Sequence, residues 1–237
     1  MFQLPLSVAL RDDATFNNFC VYSNDLLVNK IQQSINSKAS DGSIFFWGEP
    51  ASGKTHILQA ACATAAKYDL NAAYIPLTLI QELDVSMLDG LETFDLICID
   101  DIDAIAGNSL WEKALFELYN RVFESRAQII ISSTKKNKKI ALGLPDLTSR
   151  LSWGFVFHLT ALTDEQKPKA LQAHAKTRGF DLPDNVAQYL INHYPRDMNV
   201  LSGLLAELDK ASLSAQRKLT VPLVKEWLEA TANPLSE

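Results

Sequence analysis

Residues 48–55 read Gly48-Glu49-Pro50-Ala51-Ser52-Gly53-Lys54-Thr55. Two glycines five positions apart let the backbone turn its N–H groups inward around an anion, and the Lys-Thr pair that follows supplies a point charge and a hydroxyl. Ahead of the stretch, Ile44-Phe-Phe-Trp47 is an apolar run of strand type, and behind it Ile57, Leu58, Ala61 and Cys62 fall on one side of a helix beginning near Thr55. A strand, a glycine loop and a helix in that order aim the positive end of the helix dipole at whatever the loop holds. The eight residues are therefore a P-loop, and His56 is the next position along it. Lys54 is expected to neutralise β- and γ-phosphate oxygens and the Thr55 hydroxyl to ligate Mg²⁺. Placement at a strand-to-helix junction disfavours the bland alternative, an ordinary βα turn.

Further strand candidates lie at Ala73–Pro76, Leu96–Ile99, Gln128–Ser132 and Phe155–Leu159, separated by helical patterns. Such alternation requires crossover connections and predicts a buried parallel sheet covered by helices on both faces, an α/β fold. Leu96-Ile-Cys-Ile-Asp100-Asp101 ends an apolar strand in two acids at its carboxyl end, where open α/β sheets place ligands. Asp100 is the expected Mg²⁺-shell carboxylate and Asp101 the group that orients or activates a water. Two acids solvating a loop would be the better reading without a P-loop upstream. Ser109 and Glu112 predict a capping box before the helix carrying Leu115, Leu118, Tyr119 and Val122. Beyond residue 162 strand signals stop. Thr163 with Gln166 makes a second capping box, Gly179 sits at a helix end, and Pro195 and Pro222 mark further breaks, giving about four helices. The expected organisation is an N-terminal arm over residues 1–22, an α/β base over 23–161 and an all-α domain over 162–237.

Bulk composition narrows the partners. The 237 residues carry a net charge of −6 and a pI near 5.3, so no global basic field draws the protein to DNA and strong direct DNA binding is not expected. Cys20, Cys62 and Cys98 are odd in number, widely spaced and in apolar surroundings, which fits core residues in a reducing compartment. The first ten residues lack the basic flank of a signal peptide, and no run approaches about 18 unbroken apolar residues. A cytoplasmic protein without membrane attachment is expected.

With these residues in hand a resemblance can be stated. Gly48–His56, Ile99-Asp-Asp-Ile102, Ile129-Ile-Ile-Ser-Ser133, Leu147-Thr-Ser-Arg-Leu-Ser-Trp-Gly154 and the opening Thr15-Phe-Asn-Asn-Phe19 together resemble the AAA+ module of the bacterial replication initiator DnaA. The resemblance implies a five-stranded parallel sheet of order 5-1-4-3-2 with an α-helical lid, and ADP or ATP with Mg²⁺ as ligands. By position it implies that Arg150 is an arginine finger reaching the γ-phosphate of a neighbouring subunit, and that Arg196 is the lid's sensor 2, contacting nucleotide in the same chain. Ser133 and Thr134 stand at the sensor 1 position, where the initiator has an acid in place of Thr134. The initiator continues past its lid into a helix-turn-helix DNA reader, whereas this sequence stops at Glu237. A module of this kind resembles the regulatory inactivators of DnaA, called Hda, which pair with the sliding clamp, the β subunit of DNA polymerase III, and promote hydrolysis of DnaA-bound ATP. Gln3-Leu4-Pro5-Leu6-Ser7-Val8 is similar to their hexapeptide clamp motif. An extended arm would seat Leu4, Leu6 and Val8 in an apolar groove while the Gln3 amide fixes register. Asp101 stands where many AAA+ enzymes place glutamate, and slow intrinsic turnover is expected.

Two other functions compete. An autonomous AAA+ ATPase, a helicase loader or transposition helper, uses the same core; the hexapeptide argues against it. A small-molecule P-loop kinase explains neither the Ser-Arg-Leu box nor the helical end. Base preference, homo-oligomerisation and the geometry of a DnaA contact stay open. Lys135, Lys136, Lys138 and Lys139 read as a solvated loop rather than a DNA contact. The histidines show no metal spacing, and Trp47, Trp111, Trp153 and Trp227 read as core or interface anchors.

Overall fold

Alternation along the strands builds the centre of the molecule. In the computed structural model, which describes residues 14–37, 42–125, 127–195, 197–215 and 217–232, the chain divides into two compact units, 1–161 and 162–237. The first holds β1 (Ile44–Trp47), β2 (Ala72–Pro76), β3 (Leu96–Asp100), β4 (Gln128–Ser133) and β5 (Phe155–His158). They form one sheet in the order β2-β3-β4-β1-β5 with every pairing parallel. This is the expected order, and the predicted strand ends agree to within one residue.

Because successive side chains point to opposite faces, the sheet buries two separate cores. Phe45, Ile97, Ile99, Ile129 and Ile131 pack on one face against Leu115, Leu118 and Val122 of α3 (Ser109–Ser125). On the other face Ile44, Phe46, Cys98 and Ile130 pack against α1 (Asp25–Ser37) and α2 (Lys54–Lys67). All five strands run the same way, so the carboxyl ends of β1, β3 and β4 meet along one edge. A short helix, α4 (Pro145–Arg150), precedes β5. Gly154 enters β5 pressed so closely on Ser43 that an added Cβ would fall inside the Ser43 carbonyl.

Residues 14–19, read above as part of an arm, are built into this unit. Asn18 and Ala14 are buried, Asn18 Oδ1 accepts from the Thr15 N–H and hydroxyl, and Phe16 and Phe19 pack on the α1/α2 core. Nothing periodic marks such a segment, because its anchors are single side chains. The hexapeptide at residues 3–8 lies outside the described residues.

The capping pattern of α3 also differs from expectation. Asn108, not Ser109, sits at the cap, its Oδ1 accepting the Trp111 N–H at 3.4 Å. The Glu112 carboxylate instead accepts from the N–H groups of Gly107, Gly143 and Leu144. Three backbone donors from two loops outcompete the local cap.

The second unit is four helices, α5 (Lys167–Thr177), α6 (Asp184–His193), α7 (Met198–Ala215) and α8 (Val221–Ala232). Leu171, Val186, Leu190, Leu201, Leu205 and Val224 form its core. Gly179, at φ +90°, closes α5 with the Phe180 N–H on the Ala175 carbonyl, the geometry of a glycine C-cap. At the other end of α5 the Thr163 N–H donates to Gln166 Oε1 at 3.0 Å, half of the expected box.

Candidate functional site

Between β1 and α2 the loop curls on itself. Ala51 at φ +61° and Gly53 at φ +99° both adopt left-handed backbone, which is how successive N–H groups are turned into one concavity. Gly53 has a second constraint, since a Cβ there would meet the Phe19 ring at 3.0 Å. Gly48 is bound to the β4 end through its N–H on the Ser133 carbonyl, and a Cβ would press on Ser52 Oγ and the Leu159 carbonyl, both at 2.7 Å. His56 turns to the preceding segment, its Nε2 donating to the Thr15 carbonyl at 2.9 Å.

Lys54 is 6% exposed, a costly position for an ammonium without partners. Its Nζ donates to the carbonyls of Gly48 and Glu49, both at 3.3 Å, and lies 3.6 Å from Asp101 Oδ1, an ion-pair rather than a hydrogen-bond distance. Thr55 Oγ donates to Asp100 Oδ2 at 2.7 Å. The same oxygen takes the Tyr74 hydroxyl at 2.7 Å, while Oδ1 takes Ser132 Oγ at 2.5 Å. Ser132 Oγ in turn accepts the Asp101 N–H. The structure thus brings Lys54, Thr55, Asp100 and Asp101 together at the loop. Burial first, then the neighbouring Asp100 charge, raises the Asp101 carboxyl above its ordinary range, with Lys54 pulling the other way. Asp101 also holds a left-handed φ of +54°, strain of the kind that accumulates at functional sites.

Three participants escaped the sequence reading. Tyr74 faces Asp100 because β2 pairs with β3 in the register Tyr74↔Cys98, placing it on the same face as Asp100; only that register reveals this. Ser132 is the neighbour of Ser133 on the opposite face of β4, and both are buried. Asp103, beyond the acidic pair, accepts from Ser133 Oγ, the Thr134 N–H and Thr134 Oγ. Burial acts to raise its carboxyl, but the bonds from Thr134 and Ser133 outweigh that and hold it below its ordinary value. Both hydroxyls expected at sensor 1 are thereby committed to Asp103. Arg196 lies outside the described residues.

Arg150 ends α4 with its guanidinium 4.4 Å from the Trp153 ring and 6.0 Å from that of Tyr119. Trp153 is 65% exposed. Among the described residues no carboxylate pairs with Arg150, and none of its contacts is with residues 48–56. Lys135, Lys136, Lys138 and Lys139 sit in the loop after β4, beyond the paired hydroxyls of Ser133 and Thr134.

The loop's own geometry fits a polyphosphate. Ser52 Oγ is buried without a hydrogen-bond partner among the described residues, and Lys54 rests on backbone carbonyls that an anion would replace. Thr55 and Asp100 offer adjoining oxygens of the hard type Mg²⁺ takes.

The sequence profile described as "Bacterial DnaA ATPAse domain" matches residues 10–158, more than half of the chain. The chain belongs to the bacterial DnaA ATPase family. A second profile, "Hda, lid domain", matches residues 164–228 and places this DnaA-family AAA+ protein close to Hda. Domain III of the Thermotoga maritima replication initiation protein DnaA is similar in fold, with a TM-score of 0.78 at 22% identity over 93% of this chain and 98% of that domain. AMPPCP-bound DnaA from Aquifex aeolicus gives 0.68 at 21%, covering 84% of this chain and 66% of that one. A point variant of Thermotoga maritima RuvB gives 0.63 at 13%, over 88% and 68%. Membership of the DnaA family ties the chain to DNA replication and to an AAA+ nucleotide-binding fold. Among the described residues no helix is long and apolar enough to cross a membrane.

Proposed function

We propose that the protein is a regulator of replication initiation that holds ADP or ATP with Mg²⁺ in its own P-loop, docks on the sliding clamp through Gln3, Leu4, Leu6 and Val8, and stimulates hydrolysis of ATP bound to DnaA. The observation that carries this reading is the state of Arg150. Surface arginines usually pair with a carboxylate, and this one instead lies along an exposed tryptophan, with its contacts away from its own phosphate loop. An arginine so placed suits delivery to a neighbour, where a guanidinium supplied in trans stabilises transition-state charge on the phosphoryl oxygens.

In its own site each residue has a limited part. Backbone N–H groups of the loop that follows Gly48 hold phosphate oxygens, Lys54 neutralises them, and Thr55 with Asp100 holds the cation shell. Bound Mg²⁺ supplies charge neutralisation and orientation of the phosphates. The Asp101 carboxylate that would orient a water is paired with Lys54, and Ser133 and Thr134 are engaged by Asp103. Slow turnover of the chain's own nucleotide follows, and the Arg196 sensor role belongs to the same proposal. The match of residues 164–228 to the Hda lid supports the regulatory reading over a helicase loader.

The test is hydrolysis of DnaA-bound ATP in the presence of DNA-loaded clamp. Arg150→Ala is expected to abolish stimulation while leaving nucleotide and clamp binding intact. Stimulation equal to the parent's would remove the finger, and stimulation unaffected by Gln3→Ala plus Leu4→Ala would remove the clamp contact.

A further inference from the structure

We propose that Tyr119 and Glu112 are positioning residues that fix the backbone from which Arg150 projects. The proposal rests on the finger role given to Arg150 above, and its geometry stands independently of that role.

The helix carrying Arg150 has six residues, too few to persist on its own hydrogen bonds. Its N-cap, Leu144, has no side chain able to cap it. Glu112 instead fixes the chain that enters the helix: its carboxylate takes the Leu144 N–H at 2.8 Å and the Gly143 N–H at 3.0 Å, with the Gly107 N–H at 2.8 Å. At the far end the Tyr119 hydroxyl donates to the carbonyl of Arg150 itself at 3.0 Å and also pairs with the Ser43 hydroxyl. Glu112 and Tyr119 are seven positions apart, two turns on one face of α3. One rigid helix thus grips α4 at both ends. A third tie comes from the loop after β4, where Asn137 Nδ2 donates to Ser152 Oγ at 2.8 Å.

Burial makes these choices expensive. Glu112 is 1% exposed and Tyr119 4%, and a buried carboxylate is tolerated only when its lone pairs are filled. Apolar residues would serve a purely packing role at lower cost. What the polar pair adds is orientation: it holds the Cα of Arg150 still while leaving the guanidinium stacked loosely on Trp153. Preorganised charge is what a trans-acting group needs, since it then reorganises little in the transition state.

Tyr119→Phe keeps the ring and removes only the hydroxyl. In the DnaA·ATP assay it is expected to lower the maximal stimulated rate about tenfold, inside the ~10²-fold that a misplacement of about 1 Å costs, with the half-saturating concentration unchanged. In an Arg150→Ala background it is expected to have no further effect. Amide exchange of residues 143–153 is expected to quicken in Tyr119→Phe and in Glu112→Gln. An unchanged maximal rate, a change confined to half-saturation, or an added loss on top of Arg150→Ala would each overturn the proposal. So would unchanged exchange over 143–153, a readout that needs no DnaA. Failure of the finger itself shows separately, in Arg150→Ala alone.

Discussion

Thr55 and Asp100 are joined side chain to side chain, hydroxyl to Oδ2, at 2.7 Å. The bond ties the first turn of α2 to the end of β3, so the glycine loop and the Asp100 carboxylate form one unit. Thr55→Val keeps the shape and removes the hydroxyl. Nucleotide affinity measured by calorimetry with Mg²⁺ is expected to fall about 10–100-fold, the usual cost of losing a group that orients or ligates a cation. With EDTA present, parent and variant should converge. Equal affinity in Mg²⁺ would dissociate Thr55 from the cation.

Asp103 sets an acid limit on stability. Its carboxyl is held below the ordinary 3.8 by Thr134 and Ser133 despite burial, so the unfolded chain binds the proton first. The stabilisation is fully present above the ordinary value and is lost as pH falls through the depressed folded value. Asp103→Asn should flatten the acid side of a urea-unfolding profile from about pH 5 downward. An unaltered profile would show that other carboxylates set the limit.

Asp101 carries the opposite sign. Burial and Asp100 raise its carboxyl, so the folded state binds the proton more readily and stability declines as pH rises through the raised value. Asp101→Asn removes that cost, and asparagine accepts left-handed backbone well. Unfolding at neutral pH is expected to need on the order of 1 kcal/mol more in the variant, from relief of strain at φ +54°. Lys54 keeps the Gly48 and Glu49 carbonyls. A less stable variant would contradict the strain.

Gly154→Ala is expected to be the most damaging small substitution in the base. The added methyl would occupy the Ser43 carbonyl, which already accepts the Phe155 N–H at 2.9 Å. Relief requires β5 to leave β1, at a cost of about 3 kcal/mol or more. Thermal unfolding that matches the parent would refute the close approach.

Much of the fold was legible because β1, β3 and β4 are unbroken apolar runs, and the glycine loop and paired acids sit at their ends. The sheet order came from the family resemblance; the strand patterns by themselves required only parallel pairing. Side-chain bonds across strands were illegible. Tyr74 and Ser132 reach Asp100 through register, and Asp103 meets Thr134 from a different loop, relations that no spacing along the chain encodes. Glu112 misled for the same reason, since its acceptor capacity is spent mainly on Gly143 and Leu144, 31 and 32 residues away.

Thr15, Asn18 and Phe19 fasten the start of the described chain to α2 through His56 and Gly53. Val8 is six residues from Ala14, a separation that cannot exceed about 20 Å. In the proposed complex, a clamp that holds the hexapeptide holds the base within that distance. On the proposed clamp contact, glycine and serine inserted between the hexapeptide and Ala14 would dilute the base around the clamp, so delivery of Arg150 would depend on tether length as much as on affinity.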